Sequence, residues 1–489
     1  MGILMAQGPF HAHFVGIGGI GMSGIARLLV ELGWRVSGSD IVASEKTTAL
    51  AAAGVAVHIG HSGEYAAGAD VVVFSAAVPE DNCELVYARQ HGIPVMARAE
   101  MLGRLMEKQY GIAVAGSHGK TTTTSMIALV LQKLGQDPSV VVGGEILDMG
   151  ANGRLGLGPH LVVEADESDG SLVALAPHIA VITNIDADHL DHYGDLTAIK
   201  DTFLAFMERV KHGGLVITCA DDLGLAPLVR QVDRRHVDYG FDQRALWWAD
   251  HLEFTNFGSR STVYRGNEVQ GHLELQVPGK HNVSNALAAM AVAEELDLAI
   301  PDVLAALSEF RGVHRRFEIV GEIDGAIVID DYAHHPTEIK ATLAAARHLH
   351  RRVIVVFQPH RYSRVARLLD EFTTCFADTD ELLVTEIYSA GENPIPGVSG
   401  KWLAEQIQKA SSTRVQYFPD QRDIAEVLDQ CVRDGDLVLT MGAGDIRHVA
   451  EDFLSRRKGQ VITPCPQYVL RGVNCFEVIY PSVAQKMQF

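Results

Sequence analysis

The chain has 489 residues, of which 47% are hydrophobic and 21% charged. This length exceeds what one hydrophobic core usually serves, so we expect two to four domains of a soluble globular protein. A net charge of −20 argues against general affinity for nucleic acid or anionic membranes. No apolar run reaches the ~20 residues that span a bilayer. No secretory signal is recognisable and the six cysteines are scattered, so we expect a cytoplasmic protein with reduced thiols.

Short apolar runs, each followed by a helical pattern, predict stacked βα units with parallel sheets. The predicted strands are 13–17, 35–38, 70–75, 111–115, 161–164, 179–184, 214–219, 327–330, 352–358, 381–385 and 436–441. The predicted helices are 21–32, 99–107, 121–134 and 281–296. Between 245 and 277 residues alternate without helices, which predicts a small antiparallel excursion. Domain boundaries are expected near residues 105 and 313, and 460–489 form a tail of unknown structure.

The first glycine turn is Gly16-Ile17-Gly18-Gly19-Ile20-Gly21, which follows a strand and opens a helix. Glycines in this context let a pyrophosphate approach the backbone amides at the helix N-terminus. Asp40 ends the second strand, where a carboxylate can bond a ribose hydroxyl. The turn predicts a nucleotide diphosphate site but does not separate NAD from a nucleotide sugar. The alternative is close helix–strand packing with no ligand.

The phosphate loop is Gly116-Ser117-His118-Gly119-Lys120-Thr121, again between a strand and a helix. In this arrangement Lys120 reaches the β- and γ-phosphates of ATP and the Thr121 hydroxyl binds Mg²⁺. The spacing departs from the usual pattern because Val114 stands at the first glycine position, which implies a shorter loop. The alternative is a chance Gly-Lys-Thr at a helix cap. Four consecutive threonines are poor helix formers, which argues against it.

A third glycine turn, 441–445, also follows a strand, and we weigh ligand contact and a purely structural turn equally.

The acidic turn, 164–169, places Glu164 at the end of an apolar strand, where phosphate-loop proteins hold a metal. Asp166, Glu167 and Asp169 either assist or form a solvated turn. His189 follows the next strand among acids and is a candidate ligand of a second cation, although a lone loop histidine is usually structural.

Three groups near the C-terminal strands carry further candidates. Asp331 is positioned to accept from a ribose hydroxyl, and Arg315-Arg316-Phe317 to close over a γ-phosphate. Arg361 and Arg364 share one short loop and can hold a carboxylate as a fork. The alternative for these arginines is simple solvation.

These motifs together resemble the Mur ligase family. The matching stretches are 16–24, 116–124, 164–169, 184–191, 279–286, 315–318, 330–338 and 360–364. They occur in the family's order and leave only 460–489 without a counterpart. The resemblance implies an α/β fold with three domains. These are an N-terminal Rossmann-like domain that binds a UDP-sugar (1–105), a central P-loop-type ATP-binding domain with a mostly parallel sheet (106–313), and a C-terminal Rossmann-like domain that binds an amino acid (314–459).

The resemblance also implies roles for individual residues. The UDP-sugar site would comprise Gly18, Gly19, Gly21, Ser23, Asp40 and Ser75. The ATP site would comprise Gly116, Ser117, His118, Gly119, Lys120, Thr121, Thr122, His281, Asn282, Asn285, Arg316 and Asp331. Metal ions would be held by Thr121, Glu164 and His189, and catalysis would depend on Lys120, Glu164, His189 and Arg316. The amino-acid and muramyl pocket would comprise Tyr332, His334, His360, Arg361 and Arg364.

The implied reaction is ATP- and Mg²⁺-dependent joining of L-alanine to the carboxylate of UDP-N-acetylmuramate through an acyl phosphate. The nearest alternative is a family member that recycles a preformed tripeptide onto the same sugar. Such a member carries a bulkier residue at the position of Gly21. An NAD-dependent dehydrogenase would explain the first glycine turn alone, and a nucleotide sensor would leave the metal-binding set unexplained. We expect small-molecule substrates, no nucleic acid or membrane partner, and a monomer or weak homodimer.

Overall fold

The computed structural model describes residues 10–147, 151–255 and 257–457, so the predicted tail at 460–489 lies outside the described residues. The chain divides into two compact units between His314 and Arg315. We refer to the part through His314 as unit 1 and to the part from Arg315 as unit 2. None of the helices in the described part combines the length and hydrophobicity needed to cross a bilayer.

Unit 1 begins with a five-stranded sheet. Its strands are β1 (His11–Val15), β2 (Arg35–Asp40), β3 (Ala56–Ile59), β4 (Val71–Phe74) and β5 (Val95–Ala97). Its helices are α1 (Ile20–Glu31), α2 (Glu45–Ala52), α3 (Cys83–Gln90) and α4 (Arg98–Met106). All pairings are parallel, in the order β3-β2-β1-β4-β5. The carboxyl ends of β1 and β2 therefore lie side by side, which brings the first glycine turn next to Asp40.

A second sheet of unit 1 has ten strands. They are β6 (Tyr110–Ala115), β7 (Ser139–Ile146), β8 (Ala151–Arg154), β9 (His160–Glu164), β10 (Ile179–Ile182), β11 (Leu215–Cys219), β12 (Arg235–Gly240), β13 (Trp247–Phe254), β14 (Ser259–Arg265) and β15 (Glu268–Leu275). The helices are α5 (Lys120–Lys133), α6 (Leu190–Tyr193), α7 (Leu196–Glu208), α8 (Leu225–Val229), α9 (Lys280–Glu295) and α10 (Ile300–Ser308).

The order of the ten strands is β15-β14-β13-β12-β11-β10-β6-β9-β7-β8. The pairings from β13 through β7 are parallel. The pairs β13–β14, β14–β15 and β7–β8 are antiparallel. Strand β6 lies between β10 and β9 and is buried over Gly111–Ala115 by the helices around it. Helix α5 packs against α9, and both contribute to one hydrophobic core. The carboxyl ends of β6, β9 and β10 consequently open at the same sheet edge.

Unit 2 contains a six-stranded sheet. Its strands are β16 (Glu318–Ile323), β17 (Ala326–Asp331), β18 (Val353–Phe357), β19 (Glu381–Val384), β20 (Arg414–Tyr417) and β21 (Leu437–Met441). Its helices are α11 (Pro336–Arg347), α12 (Tyr362–Arg367), α13 (Leu369–Cys375), α14 (Gly400–Ala410), α15 (Arg422–Cys431) and α16 (Arg447–Arg456). The order is β16-β17-β21-β18-β19-β20, parallel except for the β16–β17 pair.

Each predicted strand and helix has a counterpart whose ends lie within two residues of the prediction. The predicted antiparallel excursion is confirmed by β13, β14 and β15. The hairpin formed by β7 and β8 was not predicted, and it contacts both α1 and β9. The domain ranges 1–105, 106–313 and 314–459 stay predictions.

Candidate active site

The first glycine turn follows β1 and is hydrogen-bonded to the end of β2. Gly16 has a φ of +81°, a conformation that favours glycine, and its amide donates to the Ser39 carbonyl at 2.8 Å. The Gly18 amide donates to the Asp40 carboxylate at 2.8 Å. A Cβ added at Gly18 would lie 2.8 Å from the same carboxylate oxygen. Asp40 thus holds the turn close to β2, and its predicted bond to a ribose stays a prediction.

Two predicted members of the sugar-nucleotide site differ in their surroundings. Ser75 lies beside the turn, since a Cβ added at Gly16 would be 3.4 Å from its Cβ. Ser23 is buried within α1, and its hydroxyl donates to the Ile20 carbonyl at 2.9 Å. The same hydroxyl accepts from Asn152 at 3.0 Å. Ser23 therefore ties α1 to the β7–β8 hairpin in this structure, a contact that the sequence did not indicate.

Arg98, which the sequence analysis missed, stands against the first glycine turn. A Cβ added at Gly21 would lie 2.9 Å from its guanidinium. Arg98 also pairs with Asp166 in the acidic turn at 3.0 Å. Burial opposes ionisation of Asp166, but Arg98 and Lys120 outweigh it and lower the pKa of that carboxyl. Because residue 21 has no side chain, Arg98 has room to lie between the first glycine turn and the acidic turn.

The phosphate loop joins β6 to α5 and depends on its glycines. Gly116 and Gly119 have φ values of +135° and +82°. A Cβ at Gly116 would overlap the Thr183 hydroxyl, and one at Gly119 would lie 2.8 Å from Asn285 Oδ1. The His118 amide donates to Asn184 Oδ1 at 2.8 Å. The predicted strand–loop–helix arrangement is confirmed, and these neighbours leave no room for side chains at the two glycines.

Lys120 points its ammonium group back over the loop. It donates to the Gly116 carbonyl at 2.6 Å, to the Ser117 carbonyl at 3.1 Å and to Glu167 Oε1 at 2.8 Å. Burial opposes its charge, but Glu167 and Glu164 outweigh burial and raise the pKa of Lys120. Lys120 is therefore a charged group held by a carboxylate of the acidic turn.

The environment of Glu167 contradicts the predicted alternative of a solvated acidic turn. Glu167 is only 3% exposed, so the interpretation of this residue as part of a solvated turn is wrong. Burial raises the pKa of Glu167 to about 7, against the opposing effect of Lys120. The Tyr193 hydroxyl donates to its backbone carbonyl. His189 Nε2 lies 3.7 Å from Glu167 Oε1 and 3.7 Å from Asp188. His189 and Lys120 thus converge on the same carboxylate.

Thr121 and Glu164 meet at the carboxyl ends of β6 and β9. The Thr121 hydroxyl donates to Glu164 Oε1 at 3.1 Å, and the Gly143 amide donates to Glu164 Oε2 at 2.7 Å. Oxygen ligands about 2.1 Å from Mg²⁺ at right angles lie roughly 3 Å apart, so Thr121 and Glu164 fit an octahedral Mg²⁺. A Cβ at Gly143 would lie 2.7 Å from both carboxylate oxygens. Gly143 in the unpredicted hairpin therefore fixes the orientation of the predicted metal ligand.

The predicted adenine-binding residues lie at the start of α9. His281 is exposed, whereas Asn282 and Asn285 are each 6% exposed. Thr123 donates to Asn285 Oδ1 at 3.1 Å, and Asn282 donates to the Pro278 carbonyl at 2.7 Å. Asn285 thus contacts α5 and lies against Gly119 of the phosphate loop, whereas Asn282 bonds the segment just before α9. Thr122 is partly exposed in the first turn of α5. Contact of these residues with adenine or phosphate stays a prediction.

In unit 2, four of the five predicted pocket residues lie together. The rings of Tyr332 and His334 are 5.4 Å apart, and those of His334 and His360 are 5.3 Å apart. Arg364 is 7% exposed and its guanidinium lies 3.1 Å from His360 Nδ1. Arg361 has a φ of +67°, an uncommon conformation for a side chain of this size. The cluster brings cationic and aromatic groups to the edge that follows β17 and β18.

Asp331 and Arg316 lie beside this cluster. The Asp331 carboxylate accepts from the amides of Phe317 and Ala333, each at 2.7 Å. Burial raises the pKa of Asp331 to about 6, although Arg316 opposes that rise. Arg316 lies 5.1 Å from the centre of the Tyr332 ring. The ribose role of Asp331 and the phosphate role of Arg316 stay predictions.

Arg315 contacts the third glycine turn within unit 2. Its guanidinium donates to the carbonyls of Gly442 at 2.7 Å and Gly444 at 2.9 Å. It also donates to Asp330 at 3.0 Å. These contacts favour a structural role for the turn over ligand contact.

A strand–glycine loop–helix unit with Lys120 and Thr121 at the helix start, built on a mostly parallel sheet, is typical of nucleotide-binding α/β enzymes. Three family models match this chain: "Mur ligase family, catalytic domain" over 11–110, "Mur ligase middle domain" over 114–293, and "Mur ligase, glutamate ligase domain" over 315–444. The chain belongs to the Mur ligase family. The family and the three-domain α/β fold predicted from the sequence are confirmed.

Curated relatives are similar along nearly their whole length. The UDP-N-acetylmuramate–L-alanine ligase of Syntrophotalea carbinolica is 51% identical over 90% of this chain and 96% of the relative. The ligase of the same name from Geobacter sulfurreducens is 50% identical over 91% of this chain and 97% of the relative.

Among solved structures, UDP-N-acetylmuramate–alanine ligase MurC from Thermotoga maritima is 33% identical with a TM-score of 0.79, covering 92% of this chain and 99% of that one. A murein peptide ligase from Psychrobacter arcticus is 26% identical with a TM-score of 0.69, covering 93% and 100%.

Proposed function

We propose that this chain joins L-alanine to the carboxylate of UDP-N-acetylmuramate, with ATP converted to ADP and phosphate, in peptidoglycan biosynthesis. The observation that carries this conclusion is the phosphate loop, where Lys120 lies 2.8 Å from Glu167 and Thr121 lies 3.1 Å from Glu164. It occurs in a chain about half identical to ligases of that name over nine-tenths of its length.

The reaction starts with transfer of the γ-phosphoryl group of ATP to the muramyl carboxylate, which gives an acyl phosphate and ADP. The neutral amine of L-alanine then attacks the acyl carbon, and phosphate leaves as the amide forms. The chain needs no covalent nucleophile for these steps. Its residues act by positioning the reacting groups and by neutralising charge.

In this proposal Lys120 binds the β- and γ-phosphates through an ammonium group already held at the mouth of the loop. The backbone amides in the first turn of α1, which has no side-chain cap, hold the pyrophosphate of the sugar nucleotide. Thr121 and Glu164 hold Mg²⁺, with His189 a further candidate ligand. The ion supplies positive charge to the transferring phosphoryl group.

The residues of unit 2 take the second substrate. Arg361 and Arg364 supply fixed cations for a carboxylate, and Tyr332, His334 and His360 form the walls around it. Arg316 contributes a further cation for phosphate. These roles rest on the family resemblance and on the clustering of the side chains in unit 2. We also propose that the protein works in the cytoplasm on small-molecule substrates.

The recycling of a preformed tripeptide is less well supported. By the family resemblance that branch carries a bulkier residue at Gly21. In this structure a side chain there would meet Arg98 at 2.9 Å and displace it from Asp166. The solved murein peptide ligase is also less similar than the alanine ligase.

Phosphate release with UDP-N-acetylmuramate tests the proposal directly. We expect turnover with L-alanine and weaker turnover with glycine or L-serine, because one methyl group discriminates by only about 1–3 kcal/mol. Turnover without the sugar nucleotide, or only with the tripeptide, would contradict the proposal.

A further inference from the structure

The ammonium group of Lys120 has no spare hydrogen. An ammonium has three donors, and here they reach the carbonyls of Gly116 and Ser117 and the carboxylate of Glu167. A triphosphate that enters the loop needs at least one of these donors. Binding of ATP through Lys120 therefore requires the exchange of an existing contact.

Glu167 is the partner best suited to that exchange. The two carbonyls belong to the phosphate loop itself, whereas Glu167 belongs to the separate acidic turn. A phosphate oxygen replaces a carboxylate oxygen with a charge-assisted hydrogen bond of the same kind. The loop carbonyls can then keep their contacts while the negatively charged partner changes.

Glu167 is held firmly in its place. Its backbone carbonyl accepts from the Tyr193 hydroxyl and from the Gly170 amide, the latter at 3.1 Å. Its side chain is 5% exposed, and Oε2 has no hydrogen-bond partner in the described part of the chain. A buried carboxylate with an unsatisfied oxygen is costly to keep. The side-chain contacts of Glu167 that oppose this cost are with Lys120 at 2.8 Å and, more weakly, with His189 at 3.7 Å.

We propose that Glu167 is a positioning residue that holds Lys120 at the phosphate loop before the nucleotide arrives and competes with the triphosphate for it. This inference rests on the proposed function, in which ATP binds at this loop. Glu167 sets the orientation of Lys120 and weakens ATP binding by the strength of the contact that must be broken.

Titration calorimetry with the non-hydrolysable analogue AMP-PNP and Mg²⁺ tests the inference on the full chain. Glu167→Gln removes the charge at nearly constant volume. We expect it to bind AMP-PNP about tenfold more tightly than the wild type, the scale of one hydrogen bond to a charged group. Asp169→Asn is the matched control, since Asp169 lies in the same turn and its side chain accepts from the Ser171 amide. The control should leave the affinity within about twofold of wild type.

Steady-state kinetics provide a second readout. In Glu167→Gln the KM for ATP should fall by a larger factor than any change in kcat, which a loss of folding would not produce. Glu167→Ala removes the same contact and serves if the glutamine variant does not fold. Unchanged AMP-PNP affinity in a folded Glu167 variant, or an equal gain in Asp169→Asn, would overturn the inference. Failure of the wild type to bind AMP-PNP would instead contradict the proposed function.

Discussion

The first glycine turn and the phosphate loop both join a buried parallel strand to a helix, yet they use their polar neighbours differently. At the first turn, Asp40 bonds the Gly18 amide and Ser23 bonds the hairpin, so the side chains support the backbone. At the phosphate loop, Lys120 and Thr121 bond carboxylates of the acidic turn. In the proposed function, the first turn offers backbone amides at the start of α1 to a ligand, and the phosphate loop offers charged side chains and two oxygen ligands for a metal ion.

This difference suits the two anions of the proposed reaction. A pyrophosphate that only has to be held can be bound by amides at a helix N-terminus. A γ-phosphoryl group that has to be transferred needs cationic groups that stabilise its charge in the transition state. Loss of side chains at the phosphate loop should therefore abolish chemistry, whereas changes at the first turn should mainly weaken binding.

Replacement of Lys120 should have the largest effect. In Lys120→Ala we expect ADP formation to fall by at least about a thousandfold, because the principal cation for the transferring phosphoryl group is lost. Coupled detection of ADP measures the loss, and thermal unfolding checks that the variant is folded. Substantial turnover in a folded variant would contradict the proposed role of the phosphate loop in phosphoryl transfer.

Replacement of Gly143 should have the next largest effect. In Gly143→Ala the new Cβ would displace the Glu164 carboxylate, since it would lie 2.7 Å from both oxygens. We expect activity at limiting Mg²⁺ to fall about 10- to 100-fold, the scale of changes that misorient a metal ligand. Titration of activity against Mg²⁺ measures it. Val142→Ala, which creates a cavity next to the same strand, is the control. It should lower stability and leave the Mg²⁺ requirement unchanged.

Replacement of Asp40 should affect only the first turn. In Asp40→Ala the Gly18 amide loses its brace, so we expect the KM for UDP-N-acetylmuramate to rise about tenfold. The KM for ATP should stay near its wild-type value. An equal rise in both constants, measured by phosphate release, would show that the two turns do not act separately.

The smallest effect concerns the pH dependence of stability. Burial raises the pKa of Glu167 to about 7, above its value in an unfolded chain. The folded protein therefore binds this proton more tightly, and the stability that it contributes is lost as the pH rises toward 7. Glu167→Gln lacks this titration. From pH 5.5 to 7.5 we expect the wild type to lose about 2 kcal/mol of unfolding free energy relative to the variant. A constant difference between their unfolding curves would contradict the assignment.

The sequence predicted those features of the site that depend on local pattern. An apolar run followed by glycines and a helical pattern located both turns, and the end of the β9 run located Glu164. The same local reasoning left Glu167 open between a functional role and a solvated turn, because an acidic run carries no sign that Tyr193 and Lys120 will contact it.

Contacts between segments that are distant along the chain could not be predicted from the sequence. Arg98 and Asn152 act on the first glycine turn from α4 and β8, and neither has a local motif. Gly143 did carry a signal, since a glycine inside an apolar strand often marks a close approach of another group. What lies against it, the Glu164 carboxylate, follows only from the strand order β9-β7-β8.

Separate binding of the two ligands to two variants tests the division between the turns most directly. Calorimetry would measure AMP-PNP with Mg²⁺ and, independently, UDP-N-acetylmuramate, each with the wild type, Lys120→Ala and Asp40→Ala. We expect Lys120→Ala to lose AMP-PNP and retain the sugar nucleotide, and Asp40→Ala to bind the sugar nucleotide about tenfold more weakly and retain AMP-PNP. If either folded variant lost both ligands to a similar degree, the two turns would not be distinct sites for the two substrates.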